Sequence, residues 1–139
     1  MELTGRDFER IPRGNVRVPK AQFERLWLAA EQLYEREQTW ANYGVVQTCR
    51  WMARATVRPP NGQWRTADAP ITNRFGQAYQ EIIQEEALAA DKLLFRQPVP
   101  YWLTKRPGWA LSVHLTFQWA WFGDGNPPIE LPGPPPTHD

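Results

Sequence analysis

Residues 107–122 read PGWALSVHLTFQWAWF, and this stretch decides the fold. It carries three of the eight tryptophans in the chain, and its polar residues do not gather on one side of a helix. A helix that is apolar all round lies in the middle of a domain. The stretch is also too short and too interrupted to cross a bilayer. It therefore predicts a buried central helix.

A β-strand is the alternative structure for the same stretch. Residues 113–121 alternate strictly between apolar and polar or small residues and are rich in side chains that favour strands. Pro107, however, suits a first helical turn, and Gly123 followed by Pro127 suits a helix end. The other long segments have helical periodicity, so a strand here would lack a partner. We therefore predict a helix over 108–122.

The composition indicates one water-soluble domain. A chain of 139 residues with 42% hydrophobic and 13% aromatic residues can bury a core, and no apolar run is long enough for a membrane span. The charged N-terminus lacks the apolar segment of a secretion signal. The single cysteine, Cys49, excludes an internal disulfide and suits the cytoplasm. A net charge of +1 gives the whole molecule no strong electrostatic preference.

Three further helices are predicted from apolar residues at helical spacing, over 20–38, 40–55 and 72–95. The first has the clearest stripe, and Pro19 marks its start. Thr72 or Asn73 is the predicted cap of the third, whose predicted apolar stripe includes Phe75 and Tyr79. The stripe of the first helix consists of Phe23, Leu26, Trp27, Ala30, Leu33 and Tyr34.

Two terminal segments flank this helical region of 20–122. Residues 1–19 contain Gly5 and Pro12 among several basic residues, and they predict an extended basic arm. Such an arm either touches phosphates or lies as a strap over the core. Residues 123–139 are rich in proline and predict an extended tail.

A shared spacing indicates an internal repeat. Thr48 precedes Trp51 as Thr116 precedes Trp119, and a Pro-Pro pair follows each tryptophan eight residues later. Each segment also follows a longer amphipathic helix. The predicted fold is therefore all-α, a small four-helix domain built from two related helical hairpins.

The segment 50–74 carries the candidate binding residues. It holds five arginines against one acidic residue, Asp68. Trp64 either lies exposed among these arginines, where it would contact a partner, or folds onto the core. Helical spacing also places Tyr43 on one face with arginines of the second helix. The candidate binding residues are Tyr43, Arg50, Arg54, Arg58, Trp64, Arg65 and, from the third helix, Glu86.

Glu86 falls within the apolar stripe of the third helix, where a carboxylate needs a partner. Three partners are open: Arg50 or Arg54, His114, or a ligand in a polar pocket. The structural pair with an arginine is the prediction.

No catalytic motif is present in the sequence. It lacks a phosphate-binding loop, a dinucleotide fingerprint and the H-E-x-x-H motif. Glu31 and Glu35 are spaced for a metal but are typical of a solvated surface, so no metal or cofactor is expected. Cys49 reads as an inert core thiol, and His114 as a core histidine rather than a general base.

The sequence thus predicts a tryptophan-rich, non-enzymatic domain, an adaptor or regulator that binds another protein. A nucleic-acid-binding regulator that uses the basic 50–74 segment is the first alternative. An enzyme with an unrecognised site is the second.

Overall fold

The computed structural model describes residues 1–60 and 62–131, which form a mostly helical domain with one small two-stranded sheet. The elements in chain order are α1 (Gly5–Glu9), a 3-10 turn (Arg13–Asn15), α2 (Lys20–Arg36), α3 (Trp40–Met52), β1 (Thr56–Val57), β2 (Arg65–Thr66), α4 (Gln80–Leu94), α5 (Tyr101–Thr104) and α6 (Trp109–Ala120).

The pairing of α3 with α6 forms the centre of the domain. At Gly44 the two backbones come so close that an added Cβ atom would lie 2.9 Å from the Trp109 carbonyl oxygen. Trp51 packs edge to face on Phe117, with ring centroids 6.2 Å apart. Residues 109–120 are therefore a helix, and the strand alternative for this stretch is excluded.

The other two long helices flank this pair. Helix α2 packs on α3, and α4 packs on α6. The buried face of α2 confirms most of its predicted stripe, since Phe23, Leu26, Trp27 and Ala30 are all buried. Leu33 and Tyr34 are only partly buried. On α6 the outcome is mixed. Val113 and Phe117 are buried, whereas Leu111, which the all-apolar pattern placed in the centre, is 47% exposed.

The N-terminal segment is not an extended arm throughout, because it contains α1 and the 3-10 turn. Residues 11–17 cross the core as a strap. Ile11 and Val16 are buried, and the Asn15 amide donates to the Met52 carbonyl at 2.8 Å. The Arg17 amide donates to the Ala120 carbonyl at 2.8 Å. This segment therefore ties the ends of α3 and α6 together.

Helix α4 begins at Gln80, and the prediction that it starts near 72 is wrong. Asn73 and Gly76 have positive φ angles of 57° and 114°, which a right-handed helix does not allow. Phe75 and Tyr79, predicted to lie on the buried stripe, are 76% and 48% exposed. Helix α3 likewise ends at Met52, because Arg54 has a φ of 55°.

After α6 the chain returns along the domain surface. Ile129 and Leu131 are partly buried against the core. The remainder of the predicted tail, 132–139, lies outside the described residues. Within 1–60 and 62–131, no helix has the length and apolarity that a membrane span requires.

Candidate binding surface

The β1–β2 hairpin and the outer faces of α2 and α3 bring most of the candidate residues together. One cleft of about 580 Å³ is lined by Tyr43, Arg50, Arg58 and Arg65. A second cleft, of about 550 Å³, is lined by Arg50, Arg58 and Trp64. The wall between the clefts is β1, whose Val57 lines both. We call these two spaces the hairpin clefts.

Two tyrosine rings line the first cleft. Tyr43 on α3 lies against Tyr34 on α2, with ring centroids 5.4 Å apart. Trp40 meets Tyr43 edge to face at 6.0 Å. Tyr34, which the sequence placed on the core stripe, is only partly buried and lines the cleft. The three rings come from the corner between α2 and α3. There the Thr39 hydroxyl caps α3 by accepting a hydrogen bond from the backbone N–H of Asn42.

Arg50 is held by a carboxylate of the protein itself. Its Nε donates to Glu31 Oε2 at 2.8 Å, and its terminal nitrogen donates to Oε1 at 2.7 Å. Burial alone lowers the pKa of Arg50, but the hydrogen bonds and negative charge of Glu31 outweigh it, so the pKa is raised. Glu31 is buried and also accepts from Trp27 Nε1 at 3.0 Å. The prediction that Glu31 is solvated surface is therefore wrong.

The other arginines of the 50–74 segment mostly have internal partners too. Arg54 donates to the Ala78 carbonyl at 2.6 Å, so it holds the loop before α4. Arg65 pairs with Asp68 at 2.9 Å. Arg74 pairs with Glu85 at 2.8 Å, and this hydrogen bond raises the pKa of the exposed Arg74. The positive charge of the segment is thus largely neutralised.

Among the candidates, Trp64 and Arg58 are the exposed side chains that no ion pair of the described residues occupies. The Trp64 side chain is 67% exposed, so it does not fold back onto the core. Arg58 is exposed, and its Nε lies 3.4 Å from the Gly62 carbonyl oxygen. Within the described residues no carboxylate lies within 4.0 Å of Arg58. An exposed indole and a guanidinium without a carboxylate partner among the described residues therefore both line the second cleft.

Glu86 does not belong to this surface. It is 2% exposed, and its carboxylate accepts the backbone amides of Ile71 and Thr72, each at 2.7 Å. The Thr72 hydroxyl donates to its other oxygen at 2.8 Å. Neither of the partners predicted within the chain, an arginine or His114, is the observed one. The carboxylate instead holds the loop that precedes α4.

Two further side chains that could carry chemistry, Cys49 and His114, lie on the central helices α3 and α6. Burial raises the pKa of the Cys49 thiol far above its ordinary value, so the thiol stays protonated. His114 Nδ1 lies 3.9 Å from Asp91 Oδ1 and has no hydrogen-bond partner there. No group of three or more His, Cys, Asp or Glu side chains is arranged to hold a metal in 1–60 and 62–131.

One cation site escaped the sequence analysis. The Arg106 guanidinium lies over three indole rings, those of Trp40, Trp102 and Trp109, at 4.9, 5.3 and 5.0 Å from their centroids. Trp102 lies four residues before Arg106 and Trp109 three residues after it, but Trp40 comes from α3, so local spacing could reveal only part of the cluster. The available signal was compositional, since residues 92–122 contain four cations and no acidic residue.

No family model matches the chain, and no curated protein or solved structure matches it.

Proposed function

We propose that this protein is a non-enzymatic interaction domain, an adaptor or regulator that binds another protein through the hairpin clefts. The observation that carries the proposal is Trp64, an indole that is 67% exposed beside an unneutralised Arg58. A large aromatic side chain at the edge of a cleft is the usual anchor of a protein interface, and Arg is the cation enriched there. The partner segment would place an apolar residue against Trp64 and a carboxylate against Arg58.

The charge pairing favours a protein over a nucleic acid as the partner. Binding to a phosphate backbone needs several cations that are free to replace counterions. In the 50–74 segment, Arg50, Arg65 and Arg74 already pair with carboxylates. Arg54 is committed to a backbone carbonyl. Within the described part of this segment, the alternative of a nucleic-acid-binding regulator therefore retains only Arg54 and Arg58 without a carboxylate partner, which is too few for tight phosphate binding.

The test compares Trp64→Ala with Phe75→Ala. Both substitutions remove an exposed ring, but Phe75, which is 76% exposed, lines neither hairpin cleft. We expect both variants to keep the melting temperature of the wild type. Only Trp64→Ala should lose the proteins that the wild-type domain captures from nuclease-treated lysate of its source cells.

Two results would contradict the proposal. If Trp64→Ala captures the same proteins as the wild type, the clefts are not the interface. If labelled oligonucleotides bind the wild type with steep salt dependence, and Arg58→Glu weakens that binding, the nucleic-acid alternative is correct.

We further infer that the four long helices are two related hairpins, α2 with α3 and α4 with α6. Buried threonines at equivalent positions support the inference. Thr48 donates to the Gly44 carbonyl at 2.8 Å, and Thr116 donates to the Ser112 carbonyl at 2.7 Å. In each case a buried tryptophan follows three residues later. The free, buried Cys49 is compatible with action in the cytoplasm.

A further inference from the structure

Three aromatic rings at the corner between α2 and α3 line a further cleft of about 520 Å³. The rings belong to Tyr34, Trp40 and Tyr43, and the polar residues Gln38 and Thr39 complete the lining. Tyr43 is the middle ring. Its centroid lies 5.4 Å from that of Tyr34, with 40° between the ring planes, and 6.0 Å from that of Trp40, with 73° between the planes. The rings therefore meet at an angle as walls of one space, and we call them the corner cage.

The corner cage lies outside the closed core. The Trp40 side chain is 38% exposed, and Tyr34 and Tyr43 are only partly buried. One of these rings already attracts a cation within the protein, since the Arg106 guanidinium carbon lies 4.9 Å from the Trp40 ring centroid. Arg106 does not line the cleft, and neither does any other lysine or arginine of the described residues. The cleft thus presents aromatic walls without a positive charge in its lining.

The charges next to the corner cage favour a cation as its ligand. Tyr34 and Gln38 also line a neighbouring cleft that contains three carboxylates. Two of these carboxylates, Glu2 and Glu35, are exposed and have no cation within 4.0 Å among the described residues. The third, Glu31, already has cationic partners. The negative charge that remains uncompensated beside the cage would attract a cation and repel an anion.

We propose that the corner cage binds an alkylated ammonium group, of the trimethylammonium type. The face of an aromatic ring is electrostatically negative, and several rings around one space are the arrangement that holds such a cation. The methyl groups of this ligand pack on the rings as apolar groups do, while its charge gains the attraction of the ring faces. Two sources carry this head group, a small molecule such as choline and a methylated lysine side chain of another protein. The site does not rest on the proposed function of the hairpin clefts.

The test compares two probes of the same shape that differ in charge. Choline carries a trimethylammonium group, and 3,3-dimethylbutanol replaces its nitrogen with carbon and is neutral. NMR titration of the full-length protein measures the affinity for each probe. We expect choline to bind about tenfold more tightly than 3,3-dimethylbutanol, because only the cation gains the attraction of the rings.

Substitutions of Tyr43 separate the aromatic ring from its apolar bulk. Tyr43→Leu should weaken choline binding about tenfold, whereas Tyr43→Phe, which keeps the ring, should recover most of that loss. Tyr101→Leu is the matched control. Tyr101 is 74% exposed and lies beneath Lys105, away from the lining of the cleft, so this variant should bind choline as the wild type does. If Tyr43→Leu fails to fold, Tyr34→Leu provides the same test on a second ring of the cage.

Two synthetic peptides distinguish the sources of the head group. They have the same sequence, with either trimethyllysine or unmodified lysine at the central position. Preference for the trimethyllysine peptide, with tighter binding than choline, assigns the ligand to a protein side chain. Tighter binding of free choline assigns it to a small molecule. Either result supports the site.

Three outcomes would overturn the proposal. Equal affinity for choline and 3,3-dimethylbutanol would show that charge has no role, and the cleft would then be an apolar surface only. Failure of both choline and the trimethyllysine peptide to bind would remove the ligand class. Choline binding that is unchanged in a folded Tyr43→Leu or Tyr34→Leu variant would place the cation elsewhere. Trp64→Ala should keep choline binding, so loss of protein capture by that variant bears only on the hairpin clefts.

Discussion

Arg50 on α3 donates two hydrogen bonds, of 2.8 and 2.7 Å, to the carboxylate of Glu31 on α2. The carboxylate is almost fully buried, with 3% of the side chain exposed, whereas the guanidinium side chain keeps 19% of its surface in solvent. A two-pronged pair of this kind fixes both the separation and the rotation of the two groups. It therefore sets how α2 lies on α3, and with it the floor of the hairpin clefts.

Arg50→Met should destabilise the domain by about 3 kcal/mol, because it removes two hydrogen bonds to the buried Glu31 carboxylate and leaves only the Met1 ammonium, 3.5 Å away, to balance its charge. Adding Glu31→Leu to this variant should recover most of the loss, since both charges are then removed. Arg65→Met is the control. Its pair with Asp68 is more exposed, so its removal should cost less than about 1 kcal/mol. Urea denaturation measures all three, and equal costs for Arg50→Met and Arg65→Met would mean that the buried pair does not hold the helices.

Glu86→Leu should lower the free energy of unfolding by about 2–3 kcal/mol. The leucine leaves the Ile71 and Thr72 amides without the acceptor that Glu86 provides. Glu86→Gln keeps one side-chain oxygen as an acceptor, so it should cost less. Glu85→Leu, one position earlier and on an exposed ion pair, is the matched control and should be nearly neutral. If denaturant unfolding gives Glu86→Leu the same free energy of unfolding as Glu85→Leu, the hydrogen bonds that Glu86 accepts do not stabilise the fold.

Gly44→Ala should be destabilising by about 1–3 kcal/mol, although alanine is the better helix former. The added methyl group would lie 2.9 Å from the Trp109 carbonyl oxygen and 3.0 Å from Ser112 Cβ, so the two central helices must separate. Gly5→Ala is the control, because nothing lies within 4 Å of its added carbon. That variant should be neutral or slightly stabilising. A thermal unfolding midpoint for Gly44→Ala at or above that of the wild type would rule out the close approach.

Cys49 should resist thiol reagents in the folded protein. Its side chain is fully buried, and burial holds the pKa of the thiol far above the ordinary value of 9.0, so almost no thiolate forms even at mildly alkaline pH. In denaturant the same thiol should react at the rate of an exposed cysteine. An absorbance assay with an aromatic disulfide reagent measures both rates. Rapid reaction of the native protein would mean that α3 opens easily.

The predictions from sequence succeeded where burial depends on the pattern within a single helix. The stripe on α2 is a local pattern, and residues such as Phe23 and Trp27 are buried as it predicts. The start of α4 could not be predicted in this way. Thr72 and Asn73 resemble a helix cap, but the amide of Thr72 is satisfied by Glu86, fourteen residues later in the chain. A tertiary acceptor of this kind competes with the helix and has no local signal.

The sequence pointed to only part of the candidate surface, because some of its contacts join residues that are distant in the chain. Arginine and tryptophan types in the 50–74 segment pointed to the hairpin, and the exposure of Trp64 is consistent with that prediction. The sequence could not tell which arginines would be neutralised by their own chain. Glu31 lies nineteen residues before Arg50, and only the packing of α2 on α3 brings them together. The same limit hid the cluster around Arg106.

The pairing of α3 with α6 also has a consequence for the protein during its synthesis. Helix α6 follows every other helix of the described chain, so α2, α3 and α4 leave the ribosome before the segment that covers α3. Domains close once their chain is available, and exposed apolar surface attracts chaperones until then. A nascent chain that has not yet reached Trp109 leaves the Trp51 indole without its Phe117 cover. Translation must therefore have passed α6 before this domain has a closed core.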